Sequence, residues 1–314
     1  MNASLNGKKL TPSMSGRNLK LGNKSRAGEI IFIIAMLAIP VINWLVFWLY
    51  VNFDSILLAF QNAYTQEWTT DNFVAFWSSL TRDGGDLKIA FMNTALYFLS
   101  SLVIIMPLSL FISYFIYKKV KGYKVFRIIF YLPCIIPASV LTTVFAEIVN
   151  PGGVVNVIMD WLHLSYPDHG ILGTEGIKTA AIIAYTVIFG LGGDMLIFSS
   201  AMSRIPIELL EAGRLDGLGP FRELTRIILP LIWPTVSTKI TLLMTGLFTA
   251  SGPILLLVNG MHNDITISFW IFNTVRVTGD YGIVAAAGLC FTAVAIPLIL
   301  GVRKIMGRFS EAEY

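Results

Sequence analysis

Six stretches of this chain carry almost no charge over the length that a helix needs to cross a bilayer. No other feature constrains the fold as tightly. The stretches are residues 30–53, 90–117, 128–146, 179–203, 227–258 and 281–302. Asp194 interrupts the fourth and Lys239 the fifth. A transmembrane helix takes roughly 20 apolar residues, so an all-α, polytopic membrane protein with six transmembrane helices is expected. Composition agrees. Only 13% of the 314 residues are charged, about half the share usual in soluble domains, and the mean hydropathy is +0.71. These values argue against a water-soluble globule and against a disordered chain. The two cysteines, Cys134 and Cys290, both fall within apolar stretches, which argues against a disulfide scaffold. Pro40, Pro107, Pro133, Pro137 and Pro297 lie inside the runs; membrane helices tolerate proline where neighbours satisfy the freed carbonyls.

Residues 1–29 are basic and rich in Asn, Gly and Ser, and are expected to form a flexible cytoplasmic tail. Residues 30–305 form the membrane domain and 306–314 a C-terminal cytoplasmic tail. The first apolar run is too long for a cleaved signal peptide, and no small-x-small site follows it. Of the 23 Lys and Arg residues, 18 fall in the two tails and in the loops after the second and fourth spans. Arg82, Lys88, Lys178 and Arg276 occupy the remaining loops. The positive-inside rule places both termini in the cytoplasm. The basic excess then faces anionic lipid, and no nucleic-acid partner is needed to account for it. Trp44, Trp48, Tyr50 and Phe53, and Tyr117 and Tyr123, read as interfacial belts.

The loop between the fourth and fifth spans is unlike the others. It balances Arg204, Arg214, Arg222 and Arg226 against Glu208, Glu211, Asp216 and Glu223. Helical spacing over 207–215, with Pro206 before it and Gly217 and Gly219-Pro220 after it, predicts a short amphipathic helix parallel to the membrane. A helix resting on lipid is usually Lys-rich. This one is half acidic, which suits docking to a soluble protein. Within it stand Glu211-Ala212-Gly213, then Gly217 after three residues, and then Ile227 and Leu229-Pro230 after nine more. This spacing resembles the EAA signature of ABC importer permeases. Ile205-Pro206, Glu208-Leu209 and Asp216-Gly217 resemble the carbohydrate-uptake branch, the relatives of maltose and glycerol-phosphate permeases. Asn93-Thr94, Leu132-Pro133 and Gly152-Gly153 with Asn156 match the same pattern. Gly213 departs from it, standing where alanine is usual.

The resemblance implies a coupling helix that fits a groove in an ATP-binding subunit. Glu208, Glu211, Ala212, Gly213, Arg214, Asp216, Gly217, Leu229 and Pro230 would form that connection. Glu211 would meet a basic side chain of the ATPase. The resemblance also implies the partners: a second permease chain, two ATP-binding subunits, an extracytoplasmic solute-binding protein and a sugar substrate. The site would lie in the cytoplasmic membrane of a bacterium or archaeon and work by alternating access. No G-x-x-x-x-G-K-[ST] loop occurs in this chain, so ATP and Mg are expected in the partner subunits and no cofactor in this one.

For the solute path, Thr238, Thr241, Thr245 and Thr249 fall on one helical face, with Ser251 and Gly252 beyond. Thr186, Gly190, Gly193 and Asp194 share a face of the fourth span. Both faces suit a hydrophilic cavity, and both equally suit helix packing through small residues. Asp194 and Lys239 each lie about 15 Å from the cytoplasmic end of their span. They are placed to pair with each other, with the second permease, or with sugar hydroxyls. Outer loops 54–88, 147–178 and 259–280 carry Trp68, Trp77, Trp161, His163 and Tyr166. These serve equally as docking surfaces for a binding protein or as ordinary interfacial aromatics. Other classes fit less well. A lipid-modifying enzyme needs clustered Asp, Glu or His, and His163, His169 and His262 are scattered. An ion-coupled transporter calls for several intramembrane carboxylates. A permease of the same family could instead carry a non-sugar solute, a glycerol-phosphate ester or a polyol; a phosphate ester would favour Arg or Lys in the cavity, where Lys239 is the one candidate.

Overall fold

The computed structural model describes residues 23–62, 65–174, 176–249, 253–257 and 264–311. These residues form helices joined by short turns. They fall into two compact units that divide between Ser55 and Ile56. The first unit is the N-terminal helix. α1 (Asn23–Asn43) passes through a π-helical turn, Trp44–Tyr50, into α2 (Val51–Ala59), which crosses the division. Its apolar side chains from Ile30 to Phe53 are exposed, as a lipid-facing helix requires. The rings of Trp44 and Trp48 stack at 5.2 Å. α1 begins at Asn23, inside the stretch expected to be a flexible tail; residues 1–22 lie outside the described residues.

In the second unit, α3 (Asp71–Thr81) precedes α4 (Asp86–Ser100). A π-turn at Ser101–Ile105 joins α4 to α5 (Met106–Tyr117), completing one long span. The turn lies just before Pro107, whose missing N–H breaks the regular ladder, so the widened turn has a local cause. The fourth span, α9 (Ile177–Met202), is continuous, and so is the last, α16 (Tyr281–Glu311).

Two charge-free runs do not form the single helices expected of them. Residues 128–146 straddle α6 (Tyr123–Ile135) and α7 (Ala138–Val149). Ile136 between them is extended. A residue before proline is pushed out of the α region, and Pro137 follows. The helical stretch is displaced toward the C-terminus: α7 continues after a turn at Gly152-Gly153 into α8 (Val154–Trp161), inside a stretch expected to be loop. The turn requires both glycines. Gly152 has φ +82°, and a Cβ on Gly153 would strike the carbonyls of Glu147 and Ile148.

Residues 227–258 are broken as well. After α10 (Ile207–Leu215), α11 (Pro220–Glu223) leads through a π-turn at Leu224–Ile228 to α12 (Leu229–Leu231). The chain then bends by 75° into α13 (Trp233–Thr245). Pro234 cannot donate to the carbonyl of Pro230, so the ladder opens at Ile232. α13 stops at Thr245, residues 246–249 turn, and α14 is a single turn, Ile254–Leu257. α15 (Ile267–Thr278) precedes the last span. Among the described residues, five helices are thus long and apolar enough to cross a membrane, and the bent pair makes a sixth if counted as one span.

α9 lies at the centre of this unit. Ser109 on α5 donates to the Leu191 carbonyl at 3.4 Å, and Ser113, whose hydroxyl donates to the Ser109 carbonyl at 2.6 Å, shares that proton with the Met195 carbonyl at 3.2 Å. Tyr131 on α6 bonds Ser199 at 3.1 Å. A Cβ on Gly192 would collide with the Phe130 carbonyl, so α6 and α9 meet there backbone to backbone. Small and hydroxylated residues hold these helices together, as membrane packing requires. α16 packs by Phe291, whose ring lies edge-on to Phe76 at 5.5 Å and stacks on Phe248 at 4.8 Å.

Candidate functional site

The loop helix forms over the residues that its spacing predicts. Pro206 is extended and N-caps α10, Glu208 sits in the first turn and Arg214 in the last. Both charges favour the helix dipole. The C-terminus is a Schellman motif: Leu218 N–H donates to the Gly213 carbonyl and Gly217 N–H to the Arg214 carbonyl, each at 3.0 Å. Gly217 supplies the left-handed residue, with φ +73°. The three-residue interval from Glu211-Ala212-Gly213 to Gly217 is therefore the distance from the helix body to its stop.

α10 anchors itself by two residues. Leu210 enters the core with Ile205, Leu224 and Ile228. Gly213 packs so closely on Ile227 that an added Cβ would lie 2.5 Å from its Cδ1. Gly213 thus faces its own chain and leaves no surface for a partner. Glu208, Glu211, Ala212, Arg214 and Asp216 point outward. Between them Ile207, Leu215 and Phe221 are 60%, 90% and 70% exposed. Leu229 and Pro230 lie behind this face in α12, where Leu229 lines the same core.

An ion pair that the sequence did not suggest ties this region to the bundle. Lys118, at the end of α5, reaches Glu223 at 2.5 Å, and Glu223 is almost fully buried. Lys118 also lies over the Tyr114 ring, 5.7 Å from its centre.

Within the membrane, Lys239 Nζ lies 2.5 Å from Asp194 Oδ1. The pair is not sealed: Lys239 also lines a cavity of about 290 Å³ with Thr238 and Leu242. Beside it, a cavity of about 440 Å³ is lined by Ser237, Thr238, Thr241 and Arg303. Thr238 and Thr241 donate their hydroxyl protons to the carbonyls of Pro234 and Ser237, which leaves acceptor lone pairs on each oxygen. Thr245 is the last residue of α13, and Thr249 lies beyond it in a turn, so the threonine face does not continue to Thr249 as a helix. Ser251 and Gly252 lie outside the described residues. On α9, Gly190 and Gly193 are exposed with room for a side chain, and Gly192 is the packing glycine instead. Thr186 donates to Ile182 and is half-buried.

At the other end of the unit the segment 264–267 is held at four points. Asp264 pairs with Lys178 at 3.0 Å, both side chains nearly fully buried, and accepts from Thr179 at 2.7 Å. Asn93 donates to the Ile265 carbonyl at 3.0 Å, and the Thr94 hydroxyl accepts from Ile267 N–H at 2.9 Å. Asn93-Thr94 thus fixes the start of α15. The sequence counts Lys178 as a loop cation. The one signal of its burial is its position at the start of a long apolar run.

Residues 105–310 match the family model described as the binding-protein-dependent transport system inner membrane component. The multiple sugar-binding transport system permease protein MsmF of Streptococcus mutans is 25% identical over 276 residues, 85% of this chain and 92% of the relative. The diacetylchitobiose uptake system permease protein NgcF of Streptomyces coelicolor is 28% identical over 60% of this chain; the match spans just over half of that relative, 56%. In fold, the chain is similar to a crystal structure of a bacterial ABC transporter involved in the import of the acidic polysaccharide alginate. The TM-score is 0.78 at 22% identity, over 91% of this chain and 99% of the other.

Proposed function

Because the chain belongs to the inner-membrane components of binding-protein-dependent transport systems, with about two thirds of its length matched, we propose that it is one permease subunit of an ABC importer for a sugar or oligosaccharide. It is a transport subunit and not an enzyme. ATP and Mg act in two partner ATPases, a second permease completes the path, and an extracytoplasmic binding protein delivers the solute. The outward face of α10 carries this reading: apolar Ile207, Leu215 and Phe221 stand exposed among Glu208, Glu211, Arg214 and Asp216. That face suits a groove in a soluble ATPase. Closure of the ATPases would move α10, and Leu210, Gly213 and the Lys118–Glu223 pair would pass the motion to the bundle. The helix acts as a lever between inward-open and outward-open states.

The solute would pass along α13, by Thr238, Thr241 and Thr245, with the Asp194–Lys239 pair at its wall. Non-helical backbone at membrane depth is tolerated only where it is buried in protein or lines a water-filled cavity. The turn at 246–249 supports a cavity there. Substrate class is argued from the sugar permeases among the relatives. A phosphate ester is disfavoured because Asp194 already neutralises Lys239. The distribution of Lys and Arg supports a cytoplasmic location for both termini and for α10.

The test is an affinity isolation from solubilised native membranes, comparing wild type with Glu211→Arg. Wild type is expected to bring an ATPase, a second permease and a solute-binding protein, and Glu211→Arg to lose the ATPase alone. The binding protein is then screened against oligosaccharides. A wild-type chain recovered alone under gentle extraction would overturn the reading.

A further inference from the structure

Between α5 and α6 lies a cavity of about 280 Å³ with a wholly apolar lining. Phe111 and Phe115 form one wall, Phe126 and Phe130 the other, and Val120 and Tyr123 close the end nearest the turn. On α6 the residues Tyr123, Phe126 and Phe130 recur at helical spacing, so the groove follows the helix and runs into the membrane. Phe115 and Phe126 are more than a third exposed, so the groove opens away from the protein.

The turn that closes the groove is the most basic of the short loops. Lys118 is occupied by Glu223. Lys119, Lys121 and Lys124 are exposed, and no carboxylate pairs with them among the described residues. The loop is held in one shape: Lys119 and Gly122 both take positive φ, at +53° and +85°, and a Cβ on Gly122 would press on Phe126 at 3.3 Å. Three exposed lysines thus stand on the turn that closes an apolar slot, on the face where the distribution of Lys and Arg puts anionic headgroups.

From this juxtaposition we infer that the α5–α6 turn is a binding site for one anionic phospholipid, its phosphate among Lys119, Lys121 and Lys124 and one acyl chain between Phe111 and Phe130. The occupant is a lipid because charge and apolar slot adjoin: a soluble anion would use the lysines alone, and a protein helix would leave three cations unanswered.

Native mass spectrometry of the purified full chain tests the site, with dioleoyl phosphatidylglycerol, dioleoyl phosphatidylcholine and glycerophosphoglycerol as probes. Wild type is expected to retain one phosphatidylglycerol with at least about a tenfold preference over phosphatidylcholine, since basic residues at the membrane surface attract anionic lipid. Glycerophosphoglycerol, which has the headgroup without the chains, should not displace it. Lys119→Gln/Lys121→Gln/Lys124→Gln should abolish the preference, and Val120→Trp, which fills the slot and keeps the charge, should abolish retention. Retention by either variant at the wild-type level overturns the proposal, as does full displacement by glycerophosphoglycerol. So does a lipid bound to the isolated chain and absent from the assembled complex, which would mean that another subunit covers the groove. None of these results bears on the α10 face, so this proposal and the importer reading fail separately.

Discussion

Gly213 stands at the position where the EAA pattern has alanine, and the side chain of Ile227 explains the difference. A glycine inside a helix costs up to about 1 kcal/mol against alanine. Here that loss is set against close contact, since a methyl would meet Ile227 Cδ1 at 2.5 Å and Leu218 Cδ1 at 3.2 Å. Both obstacles are tips of flexible side chains. Gly213→Ala is therefore expected to stay within about 1 kcal/mol of wild type, and Gly213→Val to lose about 1–3 kcal/mol by overpacking. Thermal unfolding in detergent reads the order, and Ile227→Val should relieve the valine variant. The Asp194–Lys239 pair behaves differently. Removing one member of a buried pair costs about 3–5 kcal/mol when the other is fully buried. Lys239 is 21% exposed, so the loss should fall below that. Asp194→Asn and Lys239→Met are each expected to impair transport, and the exchanged pair Asp194→Lys/Lys239→Asp to recover part of it. Uptake no better in the exchanged pair than in the single variants would exclude a role for the pairing itself.

The start of α15 depends on groups borrowed from other helices. Thr94→Val removes the acceptor for Ile267 N–H and should cost about 1–3 kcal/mol for the unsatisfied donor. Faster hydrogen exchange over residues 265–270, with α9 unchanged, is the expected result. Lys178→Met strands the buried Asp264 carboxylate and should destabilise more than the double variant Lys178→Met/Asp264→Leu, which removes both charges. The sequence did not reveal these contacts, because Lys178 and Asp264 are 86 positions apart and each reads alone as an outer-loop charge. It did reveal α10, whose proline start, periodicity and glycine stop are all local signals. Hydropathy found the apolar runs for a related reason: it measures which solvent a stretch prefers. It carries no information on backbone path, so the breaks at Ile136 and Ile232, set by the prolines that follow at 137 and 234, are not legible in it.

At the scale of the whole molecule, the proposed topology puts α10 and the α5–α6 turn on the cytoplasmic side and the 150–153 turn on the other. In a Cys134→Ser/Cys290→Ser background, a membrane-impermeant maleimide applied to intact cells should label a cysteine at Asp168 and spare one at Lys121. The reverse pattern would invert the assignment and remove α10 from the cytoplasm. Within this frame α5 and α9 run parallel, joined where Ser109 and Ser113 donate to the carbonyls of Leu191 and Met195. The acceptors are backbone atoms, which every residue type supplies. Any residue at 191 and 195 would keep these acceptors, yet Leu191 and Met195 are buried in the same core as Ile105 and Ile116, so packing holds their size while the hydroxyls fix 109 and 113. Among relatives the hydrogen bonds should leave their trace on α5 alone, so any paired substitutions across this seam would report the packing of Leu191 and Met195 and not the bonds themselves.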